Sequence, residues 1–251
     1  MKKILISLVM AITFTSVASA DFARVEMGVG AWMQTPTGKI NYTSTTTPVG
    51  TFSDVSNETS QTEGYAWLLI KHPIPILPNL RLEYVSAVSD GAYVGNVAGI
   101  SIPTNSATKL EMTQIDVIPY YNILDNTFWM TIDLGLDIKV IELEYMSNGV
   151  DVINSLGVDM AGVVLPLGYV RARVQIPATN FGFEADVKYV AYNGNSVSDV
   201  RVKADYTLDF VPVIQPAIEV GYRMQSFDLE ESGFSIKNDY AGVYAGVMLR
   251  F

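Results

Sequence analysis

The residues of this sequence that could take part in chemistry are charged residues. They occur at alternate positions along several segments of the chain. On the polar face of the alternating segments, ten are acids and ten are bases. Carboxylates beside bases can act in general acid–base catalysis, or they can neutralise one another where water is excluded. The equal balance favours the second use, because a solvated face has no need to neutralise itself. We therefore expect one network of ion pairs, made of Arg24, Glu26, Arg81, Glu83, Asp116, Asp133, Asp137, Lys139, Arg171, Arg173, Glu184, Asp186, Lys188, Arg201, Lys203, Asp205, Asp209, Glu219, Arg223 and Arg250.

A hydrolytic site would need more than paired acids. Such sites usually include a histidine as base or proton carrier. The sequence has one histidine, His72, in "LLIKHPIPILP" just before a short proline-rich turn. The G-x-S-x-G motif of serine hydrolases does not occur. The sequence therefore predicts no catalytic residue and no enzyme activity, and His72 is better explained as a polar interfacial residue before a turn.

Metal and cofactor sites have equally little support. Asp228, Glu230 and Glu231 in "SFDLEESGF" could hold Ca²⁺ through carboxylate oxygens, but they lack the spacing of a calcium loop. A solvated acidic loop explains them better, and we expect no metal and no cofactor. The net charge of −10 argues against a nucleic-acid partner, which would call for a basic face. Cysteine is absent, which excludes a small disulfide-stapled secreted module.

The elements that must position these charges are β-strands. In "FWMTIDLGLDIKVIELEY", which starts at residue 128, apolar residues at 132, 134, 136, 138 and 140 alternate with polar or small residues between them. A period of two predicts a strand. Ten segments of this kind occur, at 23–33, 64–72, 80–88, 110–121, 128–143, 160–176, 181–192, 198–210, 216–227 and 239–251.

The connections between the segments alternate in length. Short turns such as "PIPILPN", "NILDNT", "PATN" and "VPVIQP" alternate with longer or more polar links, the longest of them after the first segment. Short turns at one end and longer loops at the other are the layout of an outer-membrane barrel. With an even number of strands, both termini lie at the short-turn end. The predicted fold class is all-β: a ten-stranded antiparallel up-and-down transmembrane β-barrel, with eight or twelve strands as the fallback.

Alternation alone does not decide which face is inside. In a soluble barrel the apolar face points inward, whereas in a membrane barrel it meets lipid. Composition favours the membrane barrel, because 49% of residues are hydrophobic and 17% are charged, against about 25% charged in soluble proteins. Aromatic residues near both strand ends predict two interfacial belts. One comprises Tyr120, Tyr121, Phe128, Trp129, Phe181, Phe183, Phe210 and Phe251, and the other Trp32, Tyr65, Trp67, Tyr189, Tyr192, Phe227 and Tyr240.

The first twenty residues have the layout of a secretory signal. Two lysines precede an apolar stretch, and Ala18 and Ala20 bracket Ser19 in the small-residue pattern of a cleavage site. We expect residues 1–20 to be a cleavable signal peptide and residues 21–251 to form one barrel domain in the cell outer membrane.

The chain ends on "YAGVYAGVMLRF", with apolar residues at alternate positions up to an aromatic last residue. Together with the signal and the ten segments, this ending resembles the small outer-membrane β-barrel proteins of Gram-negative bacteria, in particular their uncharacterised single-domain members. The resemblance implies that the barrel-assembly machinery reads the last strand, with Phe251, Leu249 and Val247 as the assembly signal. Enzymes among such barrels, such as the ten-stranded omptin proteases, mostly need a histidine near the outer rim, and His72 lies at the other end.

The expected function is that of an integral outer-membrane β-barrel with a structural or surface-interaction task and a charge-plugged lumen. Ten strands enclose a narrow interior that long side chains can cross-link. The alternative is a porin-like narrow channel or a carrier for small or hydrophobic solutes. The apolar loop at 93–106 would then cover the mouth or accept a solute, unless it simply extends two strands. Expected partners are outer-membrane lipid, lipopolysaccharide and the barrel-assembly machinery, and the expected state is a monomer.

Overall fold

Strands make up most of the described chain. The computed structural model describes residues 23–251 except 47, 100–101, 128, 157–161, 209–213 and 232, so the predicted signal peptide at 1–20 lies outside the described residues. Within these ranges no helix is long and apolar enough to cross a membrane. The elements are β1 Arg24–Ser44, β2 Gly50–Ser56, β3 Gln61–Lys71, β4 Asn79–Val97, β5 Ser106–Thr127, β6 Met130–Ser147, β7 Val150–Asp151, α1 Val152–Ser155, β8 Val163–Gln175, β9 Phe181–Tyr192, β10 Asn195–Thr207, β11 Gln215–Glu231 and β12 Phe234–Arg250.

The strands form a closed ring of antiparallel neighbours. β12 pairs with β1 over seventeen residue pairs, which include Glu26 opposite Arg250. The chain end joins this seam, because the Phe251 N–H donates to the Val25 carbonyl at 2.9 Å. An open edge would leave backbone groups unpaired, which lipid does not tolerate. The pairing of the last strand with the first closes the predicted barrel. The end of the barrel that holds Arg250 is termed the turn end, and the opposite end the outer end.

Glycines keep this seam tight. A Cβ atom on Gly242 of β12 would collide with the carbonyl oxygen of Met33 on β1. On the inward face, a Cβ on Gly28 would occupy the space of the Trp67 indole. The missing side chains therefore allow both close strand approach and the packing of a large ring from β3 against the seam.

The ring has ten positions. β2 pairs with residues 39–44 of β1 and β3 with residues 24–34 of β1, and both also pair with β4. β2 and β3 are thus the outer and turn-end parts of one position in the wall, joined by residues 57–60. β7 is two residues long and pairs with β6. The predicted ten-stranded antiparallel barrel is confirmed, with one of its strands interrupted.

Several strands extend past the predicted segments at the outer end. β1 continues from residue 33 to 44 and β4 from 88 to 97, while β5 begins at 106 instead of 110. Most of the predicted loop at 34–63 is strand, and most of the apolar loop at 93–106 extends β4 and β5, with 98–99 and 102–105 as the described residues of the connection between them. A tilted strand crosses a membrane in about 9–11 residues. β1 and β5, with 21 and 22 residues, therefore reach well beyond it.

The polarity of both barrel faces inverts partway along these strands. On β5 the outward positions 115, 117, 119, 121 and 123 are Ile, Val, Pro, Tyr and Ile, whereas 107, 109, 111 and 113 are Ala, Lys, Glu and Thr. On β1 the outward positions 27, 29, 31 and 33 are apolar, and 35, 37, 39, 41 and 43 are Thr, Thr, Lys, Asn and Thr. The inward face changes in the opposite sense, from charged at the turn end to apolar at the outer end.

On the neighbouring strands β5 and β6 the inversion lies at the same level. Thr113 pairs with Glu142 just beyond the pair of Ile115 and Val140. Exposed apolar side chains on the turn-end side of this level are termed the apolar belt; they include Met27, Val29, Met33, Tyr84, Ile115, Leu134, Leu136, Val170, Val187, Val202, Ile218, Val220, Val243, Val247 and Leu249. The outward residues beyond it are termed the outer collar; they include Thr35, Thr37, Lys39, Lys109, Glu111, Glu142, Glu144, Ser226, Asp228, Lys237 and Asp239. Such a belt is the surface that faces lipid in membrane barrels.

The prediction of two aromatic belts is wrong for six residues. These share the parity of the charged positions, so they fill the interior and are at most 7% exposed: Trp32, Tyr65, Trp67, Tyr120, Phe227 and Tyr240. The exterior carries Tyr121, Trp129, Phe181, Phe183, Tyr189, Tyr192 and Phe251. Phe128 and Phe210 lie outside the described residues.

Candidate functional site

The turn-end part of the barrel has a charged interior. Side chains alternate along each strand, so one parity of every strand points into the ring. Eighteen of the predicted network residues lie there, each at most 6% exposed: Glu26, Arg81, Glu83, Asp116, Asp133, Asp137, Lys139, Arg171, Arg173, Glu184, Asp186, Lys188, Arg201, Lys203, Asp205, Glu219, Arg223 and Arg250. Arg24 lies at the rim, where its side chain is 34% exposed and pairs with Glu26. Asp209 lies outside the described residues.

Glu184 on β9 is a hub of this network. Its carboxylate faces nitrogen atoms of five bases: Arg171 at 2.6 Å, Arg173 at 3.4 Å, Arg201 at 3.4 Å, Arg81 at 3.5 Å and Lys203 at 3.6 Å. Four of these bases come from β8 and β10, the neighbours of β9. Arg81 comes from β4, which lies four positions away around the ring. The contact with Arg81 therefore spans the barrel interior and links opposite parts of the wall.

Lys188 makes a second cross-connection. Its ammonium group donates to Glu83 at 2.7 Å and to Asp116 at 2.5 Å. Lys139 also donates to Asp116, at 2.7 Å. Because β9 and β4 are on opposite parts of the wall, the lysine fills space that a solute would otherwise use.

At the turn end, Asp205 holds two arginines. It accepts from Arg173 at 2.7 Å and from Arg250 at 2.5 Å. Arg250 follows Leu249 of the predicted assembly signal, so the last strand is tied into the network by its penultimate residue. Charge-assisted pairs of this kind are short and directional.

Aromatic donors complete the site around Glu219. One carboxylate oxygen accepts from the Tyr65 hydroxyl at 2.7 Å and from the Trp67 indole N–H at 3.0 Å. The other accepts from Lys203 at 3.0 Å, and this ammonium lies 4.5 Å from the centre of the Trp67 ring. The residues from β3 that were predicted to face an interface are therefore ligands of a buried charge.

Asp199 is a network residue that sequence reasoning missed. It is 1% exposed and receives two hydrogen bonds from Arg223, at 2.9 and 2.5 Å. It is at the same alternate positions as Arg201 and Lys203, and this parity is the sequence signal that places it inside. It stands next to the start of the predicted segment, where the alternation has only begun.

Three buried glutamines lie where the interior changes character. Gln114 and Gln225 exchange hydrogen bonds at 3.0 Å, and Gln225 also donates to Asp199 at 3.0 Å. Gln34 donates to the Ser86 carbonyl at 3.1 Å. Neutral amides both donate and accept, so they link the ionic part to the apolar part without adding charge.

Beyond the glutamines the interior is an aromatic core, termed the outer core. Phe52 stacks on Tyr42, Tyr93 and Tyr145, with ring centres 5.8, 5.2 and 5.9 Å apart, and Phe234 meets it edge-on at 6.1 Å. Each of these rings is at most 3% exposed. The outward face of the collar is polar, so here the barrel has the pattern of a soluble protein, with apolar residues inside.

One carboxylate is buried in the outer core. Asp54 accepts from the Tyr145 hydroxyl at 2.7 Å, from the Ala92 N–H at 2.9 Å and from the Thr108 hydroxyl. Burial, then the neighbouring Asp54 charge and hydrogen bond, raise the pKa of Tyr145 above its ordinary value. The tyrosine therefore stays a donor, as the carboxylate requires.

Loop residues cover the outer end. Val152 and Ile153 of α1 and the following Leu156 are at most 5% exposed, and Ile102 from the turn between β4 and β5 is 9% exposed. Asp151 caps the short helix by accepting from the Asn154 N–H. The outer core thus continues into the loops that close the mouth.

The lone histidine builds a turn at the other end of the barrel. The Ile74 N–H donates to Nδ1 of His72 at 3.2 Å, and Nε2 lies 3.0 Å from the Pro78 carbonyl oxygen. His72 is therefore occupied in shaping the link between β3 and β4.

Ion pairing is the chemistry that the charged interior supports. Within the described ranges, no group of three or more His, Cys, Asp or Glu side chains is arranged to hold a metal ion. Buried carboxylates that are already paired hold their bases tightly, since losing one partner is costly. The arrangement is suited to filling and cross-linking the barrel.

The closed ring and its exposed apolar belt define a transmembrane β-barrel of the outer-membrane class. The fold is similar to that of the outer membrane protease OmpT from Escherichia coli, with a TM-score of 0.53 and 10% identity over 94% of this chain and 99% of that chain. The chain also matches the translocator domain of autotransporter NalP from Neisseria meningitidis, with a TM-score of 0.37 and 10% identity over 100% of this chain and 96% of that chain. No family model and no curated protein sequence matches the chain. At 10% identity the likeness to OmpT concerns the fold alone.

Proposed function

We propose that this protein is an integral outer-membrane β-barrel of a Gram-negative bacterium that is closed to solutes and has a structural or surface-interaction role. The observation that carries this proposal is the burial of the interior charges. In a water-filled lumen long charged side chains would be hydrated, but here eighteen of them are at most 6% exposed. A charged residue that water does not reach cannot line an open aqueous path.

Two groups of side chains, one after the other along the barrel axis, fill the interior and support the proposal that it is closed. In the turn-end part, Arg81 and Lys188 reach across the ring to Glu184 and Glu83. In the outer part, the stacked rings around Phe52 fill the interior of the barrel. A solute would have to displace both, and opening the first would separate buried ion pairs at a cost of several kcal/mol each.

The outer collar is the surface available for interaction. Of the residues that define it, five are acids and three are bases, among them Lys39, Lys109, Glu142 and Asp239, on strands that project beyond the belt. We infer that outer-membrane lipid and lipopolysaccharide surround the belt and the start of the collar. We further infer that the protein is a monomer, without enzyme activity or cofactor, and that the barrel-assembly machinery reads Phe251, Leu249 and Val247.

Planar-bilayer conductance tests the closed interior. The protein is refolded in detergent, its folding is verified by heat-dependent gel mobility, and it is then inserted into the bilayer. We expect no steady unitary currents. Arg173→Ala removes an interior side chain, and Lys109→Ala removes a collar side chain as the matched control.

Steady currents from the unmodified protein that change with Arg173→Ala, but not with Lys109→Ala, would establish the narrow channel instead. Recovery of the native protein from cells as a soluble periplasmic monomer would contradict the membrane assignment itself.

A further inference from the structure

Asp137 is an exception within the charged interior. It lies on β6 between Asp133 and Lys139, faces inward and is 0% exposed. Neither of its carboxylate oxygens has a hydrogen-bond partner among the described residues. Leu167 lies directly opposite on β8 and is also fully buried. A carboxylate in such a place lacks the hydrogen bonds and the close ion pair that normally stabilise a buried charge.

The other buried acids of this part are all paired. Each of the nine has a base within 3.0 Å, as in Glu26 with Arg24, Glu83 with Lys188, Asp116 with Lys139, Asp133 with Arg171, Glu184 with Arg171, Asp186 with Arg201, Asp199 with Arg223, Asp205 with Arg173 and Glu219 with Lys203. The unpaired state is therefore specific to Asp137.

The nearest bases are already engaged. The charged groups that act on Asp137 are Lys188 from β9, Lys139 from β6, Asp116 from β5 and Glu83 from β4. Lys188 donates to Glu83 and Asp116, and Lys139 donates to Asp116. The two lysines are thus balanced by two other carboxylates, whose charges repel a third.

We propose that Asp137 is a proton-binding site inside the barrel, where its carboxyl group carries a proton taken from solvent during folding. An O–H bond forms on one carboxylate oxygen, and the group enters the interior as a neutral acid. Protonating any of the nine paired acids would break an ion pair, whereas protonating Asp137 breaks none.

Infrared spectroscopy of the refolded protein at neutral pH tests this proposal. A protonated carboxyl group gives a C=O stretching band that carboxylates lack. We expect the band in the unmodified protein and its loss in Asp137→Asn. Asp133→Asn is the matched control, because Asp133 is equally buried on the same strand but pairs with Arg171 at 2.6 Å. The control should keep the band.

Stability provides the second measurement. Asp137→Asn replaces one neutral group by another, so its urea midpoint should stay close to that of the unmodified protein. Asp133→Asn leaves Arg171 with one carboxylate fewer and should lower the midpoint clearly. Absence of the band in the unmodified protein, its persistence in Asp137→Asn, or an equal loss of stability in both variants would overturn the proposal.

Discussion

Replacing Glu184 by glutamine removes one negative charge where five bases converge, while the shape of the side chain is kept. At an effective dielectric constant of about 20, a contact at 2.6–3.6 Å corresponds to roughly 5–6 kcal/mol of attraction. Most of this is offset by desolvation of the carboxylate and by repulsion among the bases. Loss of one partner from a buried pair costs about 3–5 kcal/mol net. Since five bases lose a common partner, we expect about 4 kcal/mol or more.

Urea unfolding of the refolded barrel measures this loss. With a slope of about 3 kcal/mol per molar urea, a destabilisation of 4 kcal/mol lowers the midpoint by roughly 1.3 M. Interior tryptophans such as Trp67 report unfolding by fluorescence, and heat-dependent gel mobility reports it independently. Glu142→Gln in the outer collar is the matched control, and an exposed substitution should change stability by less than about 0.5 kcal/mol.

A second variant separates charge from packing. Arg171→Gln combined with Glu184→Gln removes both partners of the 2.6 Å pair. Removing both partners of a buried pair is less damaging than removing one, so the double variant should lose less than the sum of the two single losses, although Asp133 then also loses its arginine. If Glu184→Gln costs less than about 1 kcal/mol, or if the double variant loses the sum of both single losses, the interior charges do not act as a network and the reasoning is refuted.

Three further predictions concern the wall. Gly242→Ala should lower the folded fraction in heat-dependent gel mobility, because its Cβ has no room at the seam, whereas Gly64→Ala, which has open space, should fold normally. Deletion of Phe251 should reduce the amount of barrel in the membrane fraction, and normal insertion of the truncated chain would contradict its role in assembly. Glu144→Lys should raise stability by about 0.2–1 kcal/mol, because Glu144 stands directly opposite Glu111; an unchanged urea midpoint would show that water screens this pair.

The turn-end half of the barrel was predictable from sequence because one rule holds there. Apolar residues face outward and charged residues inward, so parity alone places Asp133, Arg171 and Lys188 inside. The same rule fails for Trp67 and Tyr120, whose chemistry suits an interface as well as an interior. Tyr120 shares the parity of Asp116 on the same strand, but only the structure shows that Trp67 donates to Glu219 across the interior.

The outer half was missed for a different physical reason. A search for one continuous apolar face ends each strand where the surroundings change from lipid to water, although the strand itself continues. β1 was therefore expected to stop at residue 33, where the outward face becomes polar, and its last eleven residues were assigned to a loop. The inward residues there, Ile40 and Tyr42, are apolar and belong to the outer core. The same alternate positions point inward along the whole strand, but inward residues are charged at the turn end and apolar at the outer end.

The inversion of outward polarity also determines how deep the barrel sits. Sinking it by two residues along each strand would bring Glu142 toward hydrocarbon, where a lipid-facing charge costs up to about 2–4 kcal/mol near the midplane. Raising it by the same step would move Ile115 and Val140 into water, at about 25 cal/mol for each Å² exposed. Both displacements are opposed where the outward polarity changes along a strand, as on β1, β5 and β6. We therefore expect the barrel to have one preferred depth, which comes from the strands themselves.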